Sequence, residues 1–254
     1  MFLPEEFNLG TAFKQYFEIV PVHSEALKDE VYRVRYQVYC EDLKFEPERS
    51  DKRETDEYDR NSLHLLIRSV KTNEFVGCTR LIRPPPENPY SLLPFEEACA
   101  DTLDRSIIDP ARLSRQSIAE VSRLAVVASY RRRKGESGSA ITLSTEDFGT
   151  QQMPRFPYIP IGLYLGTTEL ARLSGIETLF VLTENRLAAH FNKLGFQLQF
   201  IGEPIEHHGT RLPSMMSVST IIGNMRSNLR PLYQTIASDI ERAFRSDASF
   251  TETI

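Results

Sequence analysis

Disulfide frameworks, membrane spans and the common nucleotide loops are all missing from this sequence. Its three cysteines, Cys40, Cys78 and Cys99, are an odd count without metal-type spacing. That argues against a disulfide framework or a zinc site and suits a reducing cytoplasm. No run of about 18 apolar residues occurs, so nothing reads as a membrane-spanning helix. The opening MFLPEEFNLG has no basic region followed by an apolar one and does not read as a secretory signal. There is no P-loop and no Gly-x-Gly-x-x-Gly. Gly135-Glu136-Ser137-Gly138-Ser139 misses the nucleophile-elbow pattern at its fifth position. Positive charge is not in excess: 30 Lys and Arg face 35 Asp and Glu, a net of −5, which argues against a general nucleic-acid binder.

What remains has the composition of a globular domain, with 41% apolar and 26% charged residues in 254. Strand and helix patterns alternate along it. Tyr16–Val20 reads as a strand. Leu27, Val31, Val34 and Val38 recur at helical spacing between Ser24, a candidate N-cap, and Leu43. Residues 41–59 carry nine acids against four bases with no apolar period and read as an exposed loop. Two β-type runs, Leu63–Val70 and Phe75–Arg83, flank a hairpin turn at residues 71–74. A short helix is expected over Pro94–Leu103 and a strand over Ile118–Val127. Residues 135–159 read as an inserted loop. Then come a helix at Ile161–Leu173, a strand at Thr178–Leu182 and a helix at Asn185–Leu194. A closing antiparallel pair, Gly195–Gly202 with Leu212–Thr220, surrounds His207-His208-Gly209, and a helical extension covers 221–254. The expectation is a single domain over 1–254, α+β, with a mixed central sheet flanked by helices.

Three constellations could carry chemistry. Arg131-Arg132-Arg133-Lys134-Gly135 follows the best strand, where backbone N–H groups and cations can hold a phosphate; a solvated basic loop is the plainer reading. Residues 105–134 hold eight bases and two acids, a net of +6 that suits an acidic partner. Glu120, Ser122 and Arg123 lie inside an apolar strand, where charges are costly unless paired or used. Either Arg123 points away from Glu120, or a bulge near residues 121–123 re-aims one of them and frees an amide to polarise a carbonyl. A buried ion pair with acids elsewhere, or Glu120 as the buried partner of an arginine, is the structural alternative. Finally, Asp56 and Asp59 precede one strand and Arg80 lies in the next, with Arg35 able to join. A structural network explains these four as well as an active-site wall does. The three cysteines read as packing residues and His207-His208 as a polar turn.

Taken in order, these residues resemble the autoinducer (acyl-homoserine-lactone) synthase and N-acyl amino acid synthase branch of the Gcn5-related N-acyltransferase fold. Arg35, Tyr39 and Phe45 meet the first-helix pattern, Asp56 and Asp59 the acidic pair, and Gly77, Arg80 and Leu81 the Gly-x-x-Arg-Leu strand. Glu120, Ser122 and Arg123 meet Glu-x-Ser-Arg. The run His208-Gly209-Thr210-Arg211-Leu212-Pro213 resembles acyltransferases encoded with exosortase/PEP-CTERM systems. The chain departs from the autoinducer synthases in having Tyr39 and Phe45 where they carry Phe and Trp, and it has no tryptophan at all. That difference favours an amino acid or similar small amine over S-adenosylmethionine as acceptor.

The resemblance implies transfer of a medium-to-long acyl chain from a phosphopantetheine thioester, on acyl carrier protein or coenzyme A, to that amine. Glu120, Ser122 and Arg123 would be catalytic, with Glu120 the base. Arg35, Asp56, Asp59 and Arg80 would form an acceptor or structural network, and Arg131–Gly135 would hold the phosphopantetheine. No metal, resident cofactor or nucleic acid is implied; membrane contact would be peripheral, through the lipid product. Other readings are a homoserine-lactone-type signal synthase, a short-chain acetyltransferase using coenzyme A, and a non-catalytic sensor of acyl or carrier state.

Overall fold

The computed structural model describes residues 8–131 and 158–246. Its frame is one mixed sheet. The strands are β1 (Phe17–Pro21), β2 (Ser62–Ser69), β3 (Phe75–Ile82), β4 (Ile118–Val126), β5 (Thr178–Thr183), β6 (Gln199–Phe200), β7 (Ile205–Glu206) and β8 (Thr210–Ser217). They run in the order β1-β2-β3-β4-β5-β8-β6, with β7 also paired to β8. Only β4 and β5 are parallel among these pairs. A parallel neighbour needs a crossover, which α4 (Tyr158–Leu173) helps to supply. The short α5 (Asn185–Leu194) follows β5 and stops at Gly195, whose φ of +96° is the left-handed cap glycine tolerates.

Several sequence expectations need correction. A first helix, α1 (Leu9–Tyr16), precedes β1 and is capped by Asn8; its eight residues were too few to show a period. The helix after Ser24 is α only over Glu25–Arg35 (α2), and continues as a π-helical stretch from Tyr36 to Asp42. Pro94–Ala98 (α3) is shorter than expected. β8 pairs mainly with β5 rather than with the segment before the turn, since its six-residue ladder to β5 outruns the two-residue one to β6. The expected tail helix is split into α6 (Val218–Asn224) and α7 (Arg230–Ser246) by extended backbone at Met225. The inserted loop at 135–159 lies almost wholly outside the described residues.

The core sits on both faces of the sheet. Ala119, Val121 and Leu179 join the main cluster with α1, α2, α4, α5 and α7, while Ile118 and Phe180 join a smaller one around Ile82 and Phe95. Cys40, Cys78 and Cys99 are free and buried, as packing residues should be. Gly77 is needed because a Cβ there would stand 2.7 Å from the Ala125 carbonyl oxygen across the β3–β4 ladder.

Candidate active site

Two irregularities in β4 create the site. β3 and β4 register Cys78 with Ala125 but Arg80 with Ser122, so Thr79 alone faces both Arg123 and Leu124. This is the bulge anticipated from the charges, centred on Arg123–Leu124, and Arg123 takes a left-handed φ of +48° to make it. Such a backbone is costly for a residue with a Cβ and needs support from its surroundings. Meanwhile the β4–β5 ladder ends at Glu120 and Phe180, although β5 runs on to Thr183 and β4 to Val126. Past that point the two strands have no pairing with each other, and the sheet opens.

A cavity of about 430 Å³ fills the opening. Tyr58, Pro94 and Ala98 line it on the α3 side of the sheet, and Tyr164, Thr167, Leu187 and Phe191 line it on the α4–α5 side. It therefore passes through the gap between β4 and β5. The α4–α5 arm is apolar: Leu179, Val181, Phe196, Met216 and Ile221 complete it. Thr167 and Thr168 donate their hydroxyl protons to the Leu163 and Tyr164 carbonyls, which masks their polarity. The opposite arm is charged.

At the charged arm Arg35, wholly buried, donates to Glu54 Oε2 and Asp59 Oδ1 at 2.5 Å each. Arg80 donates through Nη1 to Asp56 (2.5 Å) and Asp59 (2.8 Å) and through Nε to Ser122 Oγ (3.0 Å). Arg123 reaches Glu54 (3.1 Å) and Asp56 (3.4 Å) and lies 5.4 Å from the Tyr39 ring centre. Arg35, Asp56, Asp59 and Arg80 thus come together as expected, with Ser122 and Arg123. Arg80 and Arg123 both pair with these acids, Arg80 through Nη1 and Arg123 through Nε and Nη2. Burial works against ionised Asp59, but Arg35 and then Arg80 hold its carboxyl down at about 2. Glu54 is lowered for the same reason, mainly by Arg35.

Glu54 was missed. It fell within a stretch assigned to an exposed loop, yet it is 3% exposed, anchored by its backbone N–H to the Tyr32 carbonyl. One acid among nine in a loop carries no mark of burial.

Glu120 has a different fate. It points to the α3 side, 4% exposed, and its Oε2 accepts the Phe95 backbone N–H at 2.7 Å. Among the described residues it has no ion-pair partner within 4.0 Å, so Glu120 is not the buried partner of an arginine, while the expected pairing with acids elsewhere holds for Arg123. Arg123, at the bulge, pairs with Glu54 instead. Burial pushes Glu120 up to about 7, opposed by the Phe95 amide and by the more distant Arg80 and Arg123. A carboxylate that titrates near neutrality inside a cavity can take up a proton there.

The mouth of the charged arm joins two loops. Phe45 stacks on His208, ring centres 4.8 Å apart and planes within 11°. Arg211 donates to the His207 and His208 carbonyls and pairs with Glu184. The polar turn at His207–His208 is therefore also cavity wall, which the sequence did not suggest.

Of the expected basic surface, the described members are all paired with acids, Arg105 and Arg112 while exposed and Arg115 and Arg123 while turned inward. Arg115 is 8% exposed and pairs with Glu96 at 2.7 Å; Arg123 is turned inward. Arg105 and Arg112 pair with Asp109, and Arg131 with Asp42 at 2.5 Å. Each cation found an acid outside the counted stretch or one turn away. Arg132, Arg133, Lys134 and Gly135 lie outside the described residues.

The sheet thus opens between two parallel strands with a carboxylate at the parting. Residues 34–139 match the acetyltransferase (GNAT) domain. The acyl-homoserine lactone synthase BjaI, described as coenzyme A-dependent and solved with MTA, superposes with a TM-score of 0.57 at 20% identity, over 87% of this chain and 89% of that one. The AHL synthase LasI gives 0.54 at 18%, over 82% and 93%. FeeM, an N-acyl amino acid synthase from uncultured soil microbes, gives 0.52 at 11%, over 82% and 94%. The fold is a GNAT fold. No curated protein sequence matches the chain. The GNAT match supports an N-acyltransferase, and among the described residues no helix is long and apolar enough to cross a membrane.

Proposed function

We propose that the protein transfers a medium-to-long acyl chain from a phosphopantetheine thioester to the primary amine of an amino acid or similar small acceptor. The observation that carries this reading is Glu120: a buried carboxylate with no cation within 4.0 Å among the described residues, at the point where a cavity with an apolar arm crosses the sheet. The apolar arm supports a long chain over an acetyl group, since each buried methylene contributes about 0.8 kcal/mol.

In the proposed step an ammonium gives one proton to the Glu120 carboxylate, directly or through water, and the neutral amine attacks the thioester carbon. The N–C bond forms and the C–S bond breaks. The nitrogen's second proton goes to the departing thiolate, leaving an amide and a free thiol; Glu120 returns its proton to solvent. The bulge at Arg123–Leu124 interrupts the β3–β4 ladder beside the cavity, and an amide there is suited to polarise the thioester carbonyl. Ser122 and Arg123 act as positioning residues through Arg80, Glu54 and Asp56. Arg131–Gly135 would hold the phosphate of the arm, on acyl carrier protein or coenzyme A. The run His208–Pro213 supports kinship with acyltransferases encoded beside exosortase systems, and the whole chain is taken as one catalytic domain with a helical extension.

Mass spectrometry of lipid extracts from cells expressing the protein should find new N-acylated amines that cells expressing Glu120→Gln lack. Identical extracts would refute the reading.

A further inference from the structure

We propose that Arg115 and Glu96, a buried ion pair outside the cavity, are positioning residues for the base: they hold the first turn of α3 so that the Phe95 amide meets Glu120. The proposal deepens the acyl-transfer reading and rests on Glu120 as its base. Neither residue lines the cavity, and both are buried. A helix of five residues has too few internal hydrogen bonds to hold itself. Its start is fixed from outside. Arg115 grips both carboxylate oxygens of Glu96, Nη1 to Oε1 at 3.0 Å and Nη2 to Oε2 at 2.7 Å. Glu96 Oε2 in turn accepts the Leu93 backbone N–H at 2.8 Å, just ahead of the helix. The same guanidinium donates to the carbonyls of Ser91 (2.5 Å), Pro89 (3.2 Å) and Pro110 (3.5 Å). One side chain thus ties the loop before α3 to the loop before β4.

Phe95 lies between this clasp and the site. Its N–H donates to Glu120 Oε2 at 2.7 Å. Its ring stacks on Phe180, centres 4.3 Å apart, and Phe180 is the β5 partner of Glu120 in the sheet. Among the described residues no other hydrogen bond reaches the Glu120 carboxylate. The titratable or charged groups that face it are Arg80 from β3, Arg123 from its own strand, Glu96 from α3, Cys99 just after α3 and Tyr58 from the turn before β2. A buried ion pair is a weak source of stability, because two charges must leave water. Here its donors serve to aim one amide. An N–H given to an ionised carboxylate favours that form, so loosening α3 should make Glu120 hold its proton more tightly. Removing the Glu96 charge should do the reverse, since a like charge nearby also favours the protonated form.

Two variants of the full chain separate geometry from charge. Arg115→Lys keeps a cation beside Glu96 but cannot bridge both carboxylate oxygens and three carbonyls. The midpoint of the proton-loss step in kcat/KM should rise by at least about half a pH unit, roughly threefold in proton affinity. Glu96→Gln keeps an oxygen for the Leu93 N–H and removes the charge, and the midpoint should move down. Carboxyl-carbon NMR of glutamate-labelled protein follows Glu120 itself without turnover, and urea denaturation records the stability of each variant. In the parent the Phe95 amide proton should titrate together with Glu120, and in Arg115→Lys that coupling should weaken. Opposite shifts of the two variants, seen by both methods, support the assignment. Midpoints that stay in place while stability falls would make the pair merely structural and overturn it, as would shifts in the same direction. A Phe95 amide blind to Glu120 in the parent would overturn it even if neither variant folded. The expected NMR shifts without acylation of any amine would keep the positioning and refute the acyl-transfer reading.

Discussion

Two buried carboxylates that both feel Arg80, Asp59 and Glu120, have been pushed in opposite directions. Asp59 receives two arginines and sits at about 2; Glu120 receives one backbone amide and sits at about 7. Both are buried, so burial alone does not separate them. Their partners do: Arg35 and Arg80 reach Asp59, whereas Arg123 pairs with Glu54 and Asp56 and no described cation comes within 4.0 Å of Glu120. One side of the site has its charges paired off and acts as scaffold. The other keeps a proton acceptor whose affinity suits neutral pH.

Breaking the unpaired side should cost most in rate. Glu120→Gln keeps the acceptor for the Phe95 amide but removes the base, and turnover should fall by roughly 10²–10⁴-fold. Stability should move the other way. Glu120 binds its proton more tightly folded than unfolded, so the stability it lends below the ordinary carboxylate range is lost as pH rises through about 7. The glutamine variant should therefore be more stable than the parent at pH 8, by up to roughly 3 kcal/mol, in urea denaturation.

On the paired side the effect falls on the fold. Arg35→Ala strands Glu54 and Asp59 without their shared cation and should cost about 3–5 kcal/mol. Asp59 stabilises above its ordinary pKa and loses that contribution as pH falls toward about 2, so the variant should also unfold at higher pH during acid titration. Bulk in the apolar arm gives a smaller change. Leu187→Trp, at a half-buried wall position, should shorten the preferred acyl chain by a few methylenes, at about 0.8 kcal/mol each, read by competition between chain lengths. Smallest is Ser122→Ala: it leaves Arg80 Nε without its 3.0 Å partner and should cost about 1 kcal/mol.

The sequence showed more of the scaffold than of the cavity. Arg35, Asp56, Asp59 and Arg80 were legible because charged side chains beside apolar strands have to find one another. The bulge was legible because Glu120 and Arg123 sat at an awkward spacing within one strand. Glu54 was hidden, since an acid in an acidic loop looks solvated. So was the wall built by His208 and Phe45, which lie over 160 residues apart and meet only through β8. Of the basic stretch, a count along the chain could not show that Arg115 turns inward to Glu96.

The central claim is that Glu120 is the base, and the pH dependence of kcat/KM tests it most directly. Activity should be lost below neutrality as Glu120 takes up its proton. The parent should thus show one proton-loss step with a midpoint near 7, besides the ionisation of the amine itself. In Glu120→Gln that step should vanish while the amine's own limb remains. A step of the same midpoint in both proteins, or none in the parent, would contradict the account.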